Sequence, residues 1–466
     1  MSSKMRVTPS LTLTRKRRVG MLSLGCPKTL VDSEIILGKL DLACYELASS
    51  VGDCEIALVN TCAFVHEAQK ESVDQILRLI ELKKEGEIEK LVVVGCLVQR
   101  FASELEEELK EVDAFVGSGE YDKIPAVLDR VTAGEPVRAV GLPGYLATSA
   151  EARVSLTPRY FRYLKISEGC DHTCAFCVIP SFRGRHRSRP LEDVVREAKR
   201  LVSEGARELV LTGQDTTYFG YDLAGRFLLP ELLRQLNRIP SLRWIRILYA
   251  YPSLVSDELI ESMASLEKVC PYLDMPLQHA SDQILRSMRR GTNQTSTRRL
   301  LSNLRSRIAD LAIRTTFIVG YPGEGEQEFD ELLAFMKEAR FERLGLFTYS
   351  PEAGSAAAKL GGQVPEKVKQ ERFKTGMLLQ QAISRENNRR LIGRTLEAVV
   401  EGESDEPGVW LGRTPMDAPE VDGVIFLKQG AEGGRAKLNP GDFVTARVTE
   451  TREYDLVGQI QKILTG

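Results

Sequence analysis

Three short apolar runs, VGMLSLGC, EIALVNTC and KLVVVGC, fall within the first hundred residues, and each ends in a cysteine: Cys26, Cys62 and Cys96. Val-, Ile- and Leu-rich runs without polar alternation read as strands buried on both faces. Between them, VDSEIILGKL and EAQKESVDQILRLIELKKEGE place apolar residues at helical spacing. This alternation predicts a parallel sheet in a three-layer α/β domain. The carboxyl ends of parallel strands share one edge, where ligands bind. Three cysteines far apart in sequence can therefore converge. Taken singly, each reads as a small buried hydrophobe.

The 466 residues leave room for about three domains at roughly 150 residues each. With 43% hydrophobic and 27% charged residues the chain is neither disordered nor fibrous. A net charge of −2 excludes a generic polyanion binder. No run approaches the roughly 18 apolar residues of a membrane span. The basic start, with Arg15 to Arg18, lacks the apolar core of a signal peptide, so a loose tail and a cytoplasmic location are expected. Nine cysteines, an odd number in a long chain, point to metal or redox chemistry rather than a disulfide scaffold. With only four histidines, any metal site must be mostly thiolate. Cys44, Cys54 and Cys270 stand in no motif and are read as packing residues.

Residues 17–131 thus form a first domain, and the Gly-, Pro- and Ala-rich stretch from Val131 to Pro158 reads as a linker. A second alternation occupies 156–387, with strands FRYLKISE, ELVLTGQD, RWIRILYAY, YLDMPLQH, RTTFIVGY and RLGLFTYS separated by amphipathic helices. That fits a partial or full β/α barrel, whose chemistry sits at the carboxyl ends of its strands. Residues 389–466 change to short alternating strands with Gly, Pro and Asp turns, as in a small antiparallel β-barrel.

The strongest local signal is ISEGCDHTCAFCVIP, which sets Cys170, Cys174 and Cys177 in a C-x3-C-x2-C array. Three thiolates on one loop can grip one face of a 4Fe–4S cube and leave one iron open. The alternative is a zinc site completed by His172 or His186, although zinc spacing more often runs as two C-x2-4-C pairs.

This array after the first barrel strand resembles the radical S-adenosylmethionine enzymes, and Phe176 matches the aromatic residue between their last two cysteines. The resemblance implies that the open iron takes the amino and carboxylate groups of S-adenosylmethionine. It also implies a contact to the methionine amino group from Gly213, Gln214 and Asp215, where the family usually has Gly-Gly-Glu; a plain strand-end turn is the alternative. FIVGYPGE resembles the strand beside the adenine, or is a buried strand with its turn. An α/β domain before such a core and a small barrel (TRAM, OB-like) after it resemble the methylthiotransferases. That likeness implies a second 4Fe–4S cluster on Cys26, Cys62 and Cys96, carrying the sulfur to be inserted. SLGCPKTLVDSE, YLDMPLQHAS and MDAPEVDG resemble the branch that methylthiolates an aspartate β-carbon of small-subunit ribosomal protein S-twelve. The transfer-RNA branch has Gln-Met-Asn where this chain has Pro27-Lys28-Thr29, and Thr29 departs from the Asn usual in the ribosomal branch. The resemblance further implies an electron donor and a sulfur source as partners.

Charge favours the same branch. From Leu391 to Gly466 there are thirteen acidic and eight basic residues, a net of −5, against +3 for the rest. A barrel bound to transfer RNA should be basic, whereas an acidic one suits a basic ribosomal protein; the other account is that these charges keep the barrel in solution. Asp417, Glu420 and Asp422 are expected to form the exposed acidic face. The other readings are a transfer-RNA methylthiotransferase and, outside enzymes, an iron–sulfur electron carrier, which needs neither so large a barrel nor an open iron.

Overall fold

The computed structural model describes residues 16–429 and 437–464, so the tail expected ahead of Lys16 lies outside the described residues. The first domain is a sheet of strands β1 (Arg18–Ser23), β2 (Glu46–Leu47), β3 (Ile56–Thr61), β4 (Lys90–Gly95), β5 (Ala114–Gly117) and β6 (Val137–Ala139). They run in the order β2-β1-β3-β4-β5-β6, all pairs parallel. Helices α1 (Pro27–Leu42), α2 (His66–Glu85), α3 (Cys96–Glu108) and α4 (Ile124–Thr132) cover it. Every residue of β3 is buried, as an apolar run between two helix layers must be.

The stretch expected as a linker is structural. It supplies β6, then crosses α1 as a strap whose Arg153 side chain is buried and pairs with Glu34 and Glu197. Gly38 permits the crossing, since a Cβ there would stand 2.2 Å from the Ala152 carbonyl oxygen.

The central domain holds β7 (Phe161–Lys165), a two-residue ribbon of β8 (Ser167–Glu168) and β9 (Arg187–Ser188), then β10 (Glu208–Thr212), β11 (Trp244–Ile247), β12 (Val269–Asp274), β13 (Ala312–Val319) and β14 (Arg343–Thr348). Its main sheet is parallel and open, ordered β14-β13-β12-β11-β10-β7, so it is the partial form of the β/α barrel. The helix Glu366–Arg389 packs back on β14 with Gly376 against Leu346, while buried Gln380 donates to the Phe341 carbonyl at 2.9 Å.

The last domain is a closed barrel of β15 (Thr395–Glu403), β16 (Val409–Arg413), β17 (Ile425–Lys428), β18 (Phe443–Thr451) and β19 (Leu456–Leu464), ordered β15-β16-β17-β19-β18. It is not wholly antiparallel, because β17 and β19 pair parallel. The chain passes from β17 to β18 by a long connection, and the β18–β19 hairpin returns it in the direction of β17.

One apolar cluster runs through all three domains, joining Val19, Ile35 and Tyr121 to Tyr163 and Trp244 and on to Phe443. Trp244 meets Phe443 edge to face, with ring centroids 4.9 Å apart.

The turn MDAPEVDG is not an exposed acidic face. Asp417 is 2% exposed and pairs with Arg343. Asp422 accepts from Tyr272 at 2.7 Å and pairs with Arg314 at 3.3 Å. Only Glu420 is exposed, and it accepts from the Tyr163 hydroxyl at 3.0 Å. Two of these three acids are therefore spent tying the barrel to the central sheet. Cys44 is exposed rather than packed, whereas Cys54 and Cys270 are buried.

Candidate cluster sites and the seam between them

Cys26 is the N-cap of α1, Cys62 follows β3, and Cys96 opens α3 directly after β4, so all three stand at the carboxyl edge of the first sheet. Gly25 makes the approach possible: at φ +93° it carries no Cβ, and one there would stand 2.8 Å from the Cys62 Cβ. Thr29 accepts the Cys26 amide hydrogen at 3.3 Å and its hydroxyl lies 3.3 Å from the Cys26 sulfur. The departure at Thr29 thus caps the helix that carries the first cysteine.

The three thiols differ. Burial pushes Cys96 up to about 12, against the pull of Arg183. Burial and the neighbouring Cys26 also raise Cys62. Cys26 is held below the ordinary thiol value: burial opposes this, but Lys28 and the Thr29 hydrogen bond outweigh it.

Cys170, Cys174 and Cys177 lie on the loop after β8. The loop is pinned by the Cys170 amide on Gly184 (3.1 Å) and the Ala175 amide on Met288 (2.9 Å). Burial drives Cys170 and Cys177 up to about 12, and the thiols reinforce one another. Arg290 reaches the Cys174 sulfur at 3.4 Å.

Zinc is not favoured by the histidines. The His172 Nε2 lies 2.6 Å from Asp215 and its ring stacks on Tyr251, while the His186 Nε2 lies 3.0 Å from the Ser188 hydroxyl. Among the described residues no three His, Cys, Asp or Glu side chains close around a single-ion position. A cube spreads its coordination points over several metal corners, so thiolates around it stand further apart than around one ion.

Gly213, Gln214 and Asp215 follow β10 and do not act alike. Asp215 is spent on its own loop, accepting from the Thr217 amide at 2.9 Å as well as facing His172. Gln214 donates to Glu168 at 2.8 Å, which leaves its Oε1 buried and without a partner. The Ser167 and Thr212 hydroxyls are equally orphaned among the described residues. Glu324 of FIVGYPGE staples its own turn, accepting from the Gly320 amide at 2.9 Å and from Arg372 at 2.8 Å.

Where the first domain meets the central one, beside Cys96, lies a buried quartet that sequence reading missed. Arg183 donates to the Cys96 sulfur from Nε at 3.2 Å and from Nη2 at 2.9 Å. Its Nη1 reaches Asp32 at 2.9 Å and Glu168 at 3.3 Å. Lys165 completes the group by pairing with Asp32, and with Glu168 at 2.9 Å. A path of direct contacts thus runs from Cys96 through Arg183 and Glu168 to Gln214. The only sequence hint was the run RGRHRSR (183–189), which looks like a solvated basic stretch although Arg183 and Arg189 are buried.

Sequence profiles divide the chain in the same way. One described as an uncharacterized protein family, UPF0004, matches residues 18–117, the radical SAM superfamily matches 164–336, and a TRAM domain matches 392–460. A ribosomal protein uS12 methylthiotransferase of Anaeromyxobacter sp. (strain Fw109-5) is 48% identical over 95% of this chain and 93% of its own. That of Geobacter sulfurreducens is 46% identical over 96% and 99%. The chain belongs to the uS12 methylthiotransferase family.

Solved structures at low identity agree on the fold of this family member. The radical S-adenosylmethionine methyltransferase TsrM from Kitasatospora setae, solved with cobalamin and a 4Fe–4S cluster, superposes with a TM-score of 0.55 at 13% identity, covering 79% of this chain and 89% of that one. With tryptophan substrate and an S-adenosylmethionine analogue, the same enzyme covers 71% of this chain at the same score. Among the described residues no helix is long and apolar enough to cross a membrane.

Proposed function

We infer that this chain, working in the cytoplasm, places a methylthio group on the β-carbon of an aspartate of ribosomal protein uS12. The observation that carries this reading is Arg183, which ties together the two domains that bear the cysteine trios by touching Cys96 in the first and Glu168, two residues before Cys170, in the second. The relatives above, named for the same substrate, support it over the transfer-RNA reading and over an electron carrier.

The residues suit the groups they would hold. Six sulfurs in two sets of three leave an open position in each cluster, and thiolate is the ligand iron–sulfur clusters take. Gly213 has its α-carbon against Ser167, whose hydroxyl a Cβ would meet at 2.5 Å. The orphaned oxygens of Ser167, Thr212 and Gln214 are the kind of acceptor an ammonium group needs. Gln214, rather than Asp215, is the member of the strand-end trio free to meet the methionine amino group.

When bound, the two clusters and S-adenosylmethionine supply a carbon radical and the sulfur that replaces the hydrogen. That chemistry suits an unactivated β-carbon, whose hydrogen is not acidic enough for a general base. The chain's own residues do the rest. Cys170, Cys174 and Cys177 hold one cluster, and Cys26, Cys62 and Cys96 hold the other. Arg183 keeps the first domain in register with the central one. Residues 17–131, 156–387 and 389–466 serve as sulfur-carrying, radical-forming and barrel modules, with an electron donor and a sulfur source as outside partners.

Replacing Cys170, Cys174 and Cys177 by alanine should remove half of about eight irons and all formation of 5′-deoxyadenosine. Replacing Cys26, Cys62 and Cys96 should leave 5′-deoxyadenosine measurable but abolish methylthio transfer to uS12, followed by mass spectrometry. Equal loss of 5′-deoxyadenosine in both sets, in protein of native circular dichroism, overturns the division of labour.

A further inference from the structure

Lys28 stands in the first turn of α1, two residues after Cys26, and its ammonium lies over the ring of Tyr249, 3.5 Å from the centroid. Tyr249 follows β11 at the carboxyl edge of the central sheet, so this one contact crosses the seam between the first trio and the radical domain. Other cations around the seam are neutralised. Arg183 and Lys165 share Asp32 and Glu168, and Arg314 pairs with Asp274 and Asp422. Arg290 stands instead at the other trio, on the Cys174 sulfur and the Pro276 carbonyl. Among the described residues Lys28 has no carboxylate partner, and the ring of Tyr249 holds its ammonium in place without cancelling its charge.

We propose that Lys28 is the receptor for the carboxylate of the side chain to be modified, and so selects an acidic residue. This rests on the function inferred above. In an aspartate the carboxylate carbon is bonded directly to the β-carbon, so a group that grips the carboxylate also places the reacting carbon. Cys26, on the sulfur-carrying side, lies two residues away. A carboxylate brought between two thiolate-bound clusters loses water and meets negative charge, and a cation at that point with no carboxylate partner of its own offsets part of both costs. S-adenosylmethionine also carries a carboxylate, but Gln214, assigned above to its amino group, meets the Arg183 quartet at Glu168, whereas the first trio meets it at Cys96.

The test uses reconstituted full-length protein and recombinant uS12, with the modified aspartate intact or replaced by Asn, and reads binding by fluorescence anisotropy. Wild type should bind the Asp form about tenfold tighter than the Asn form, the scale of one charge-assisted hydrogen bond. Lys28→Met should bring that ratio close to one, and Lys28→Arg should keep most of it. A Lys28→Met protein that keeps the full Asp-over-Asn preference overturns the assignment and leaves the inferred function standing. Loss of half the iron in Lys28→Met places Lys28 in cluster retention and also overturns it. A wild type that binds neither form of uS12 overturns the inferred function, and the assignment with it.

Discussion

Arg183 shows how much one buried side chain can coordinate. Two cations, Arg183 and Lys165, face two anions, Asp32 and Glu168, so the quartet is neutral before Cys96 gives up its proton. Arg183 then adds two hydrogen bonds to the Cys96 sulfur. Donors to a ligating sulfur and nearby positive charge stabilise the reduced state of an iron–sulfur cluster. Arg183→Met should therefore shift the midpoint potential of the cluster on Cys26, Cys62 and Cys96 to more negative values in an EPR titration, and leave the other cluster's signal in place. Breaking a buried pair by removing one partner costs about 3–5 kcal/mol, so the variant should also unfold earlier. Adding Asp32→Asn restores the charge balance. The double variant should regain stability but not the potential, which separates the contact with sulfur from a merely structural role.

At the scale of elements, the turn between β16 and β17 locks the barrel to the central sheet. Asp417 meets Arg343 and accepts from the Thr414 hydroxyl at 2.6 Å, while Arg413, from the end of β16, pairs with Glu208 at the start of β10. Glu420 in the same turn is exposed and makes one hydrogen bond. Asp417→Asn should lower stability by about 3–5 kcal/mol, and Glu420→Gln by about 1 kcal/mol or less. Thermal unfolding of the two variants side by side checks the difference. Reversing Asp417 or Asp422 to lysine would strand Arg343 or Arg314, so lost uS12 binding in such variants would report a loosened barrel. Part of the −5 surplus of this domain is thus consumed inside the molecule. An acidic docking face has to be sought among residues that are exposed.

For the whole molecule, the seam between the first two domains should be sensitive to acid. Burial alone would raise Glu168, but Lys165 and Arg183 outweigh it and hold the carboxyl down to about 2. In the unfolded chain it titrates near the ordinary value of about 4.3. A depressed carboxylate stabilises the folded state fully above the unfolded value, and that stabilisation is lost as pH falls through the folded one. Cluster-free wild type should lose stability between about pH 4.3 and pH 2. Glu168→Gln should show a flatter dependence over that window, in urea midpoints measured along the pH scale. The apolar cluster that passes from Val19 to Phe443 joins the three domains through one core, so the loss should appear as one cooperative transition.

What was legible in the sequence is what local chemistry decides. Unbroken apolar runs marked the parallel strands, apolar residues at helical spacing marked their helices, and C-x3-C-x2-C marked a cluster loop, because each depends on neighbours a few residues away. Strand ends were legible too, which placed Cys26, Cys62 and Cys96 on one edge. Whether a charge is buried was not legible. Arg183 sits in a run of arginines and Asp417 in a polar turn, and only the approach of distant segments makes one a sulfur contact and the other a domain lock. The same holds for β6 within the stretch read as a linker and for the parallel pairing of β17 with β19, since a strand's place and direction are set by the distant strand it joins. The residue types at the site were written in the chain. Their pairing was decided by the tertiary structure, because a buried ion is tolerated only where the fold brings its counter-charge within hydrogen-bond reach.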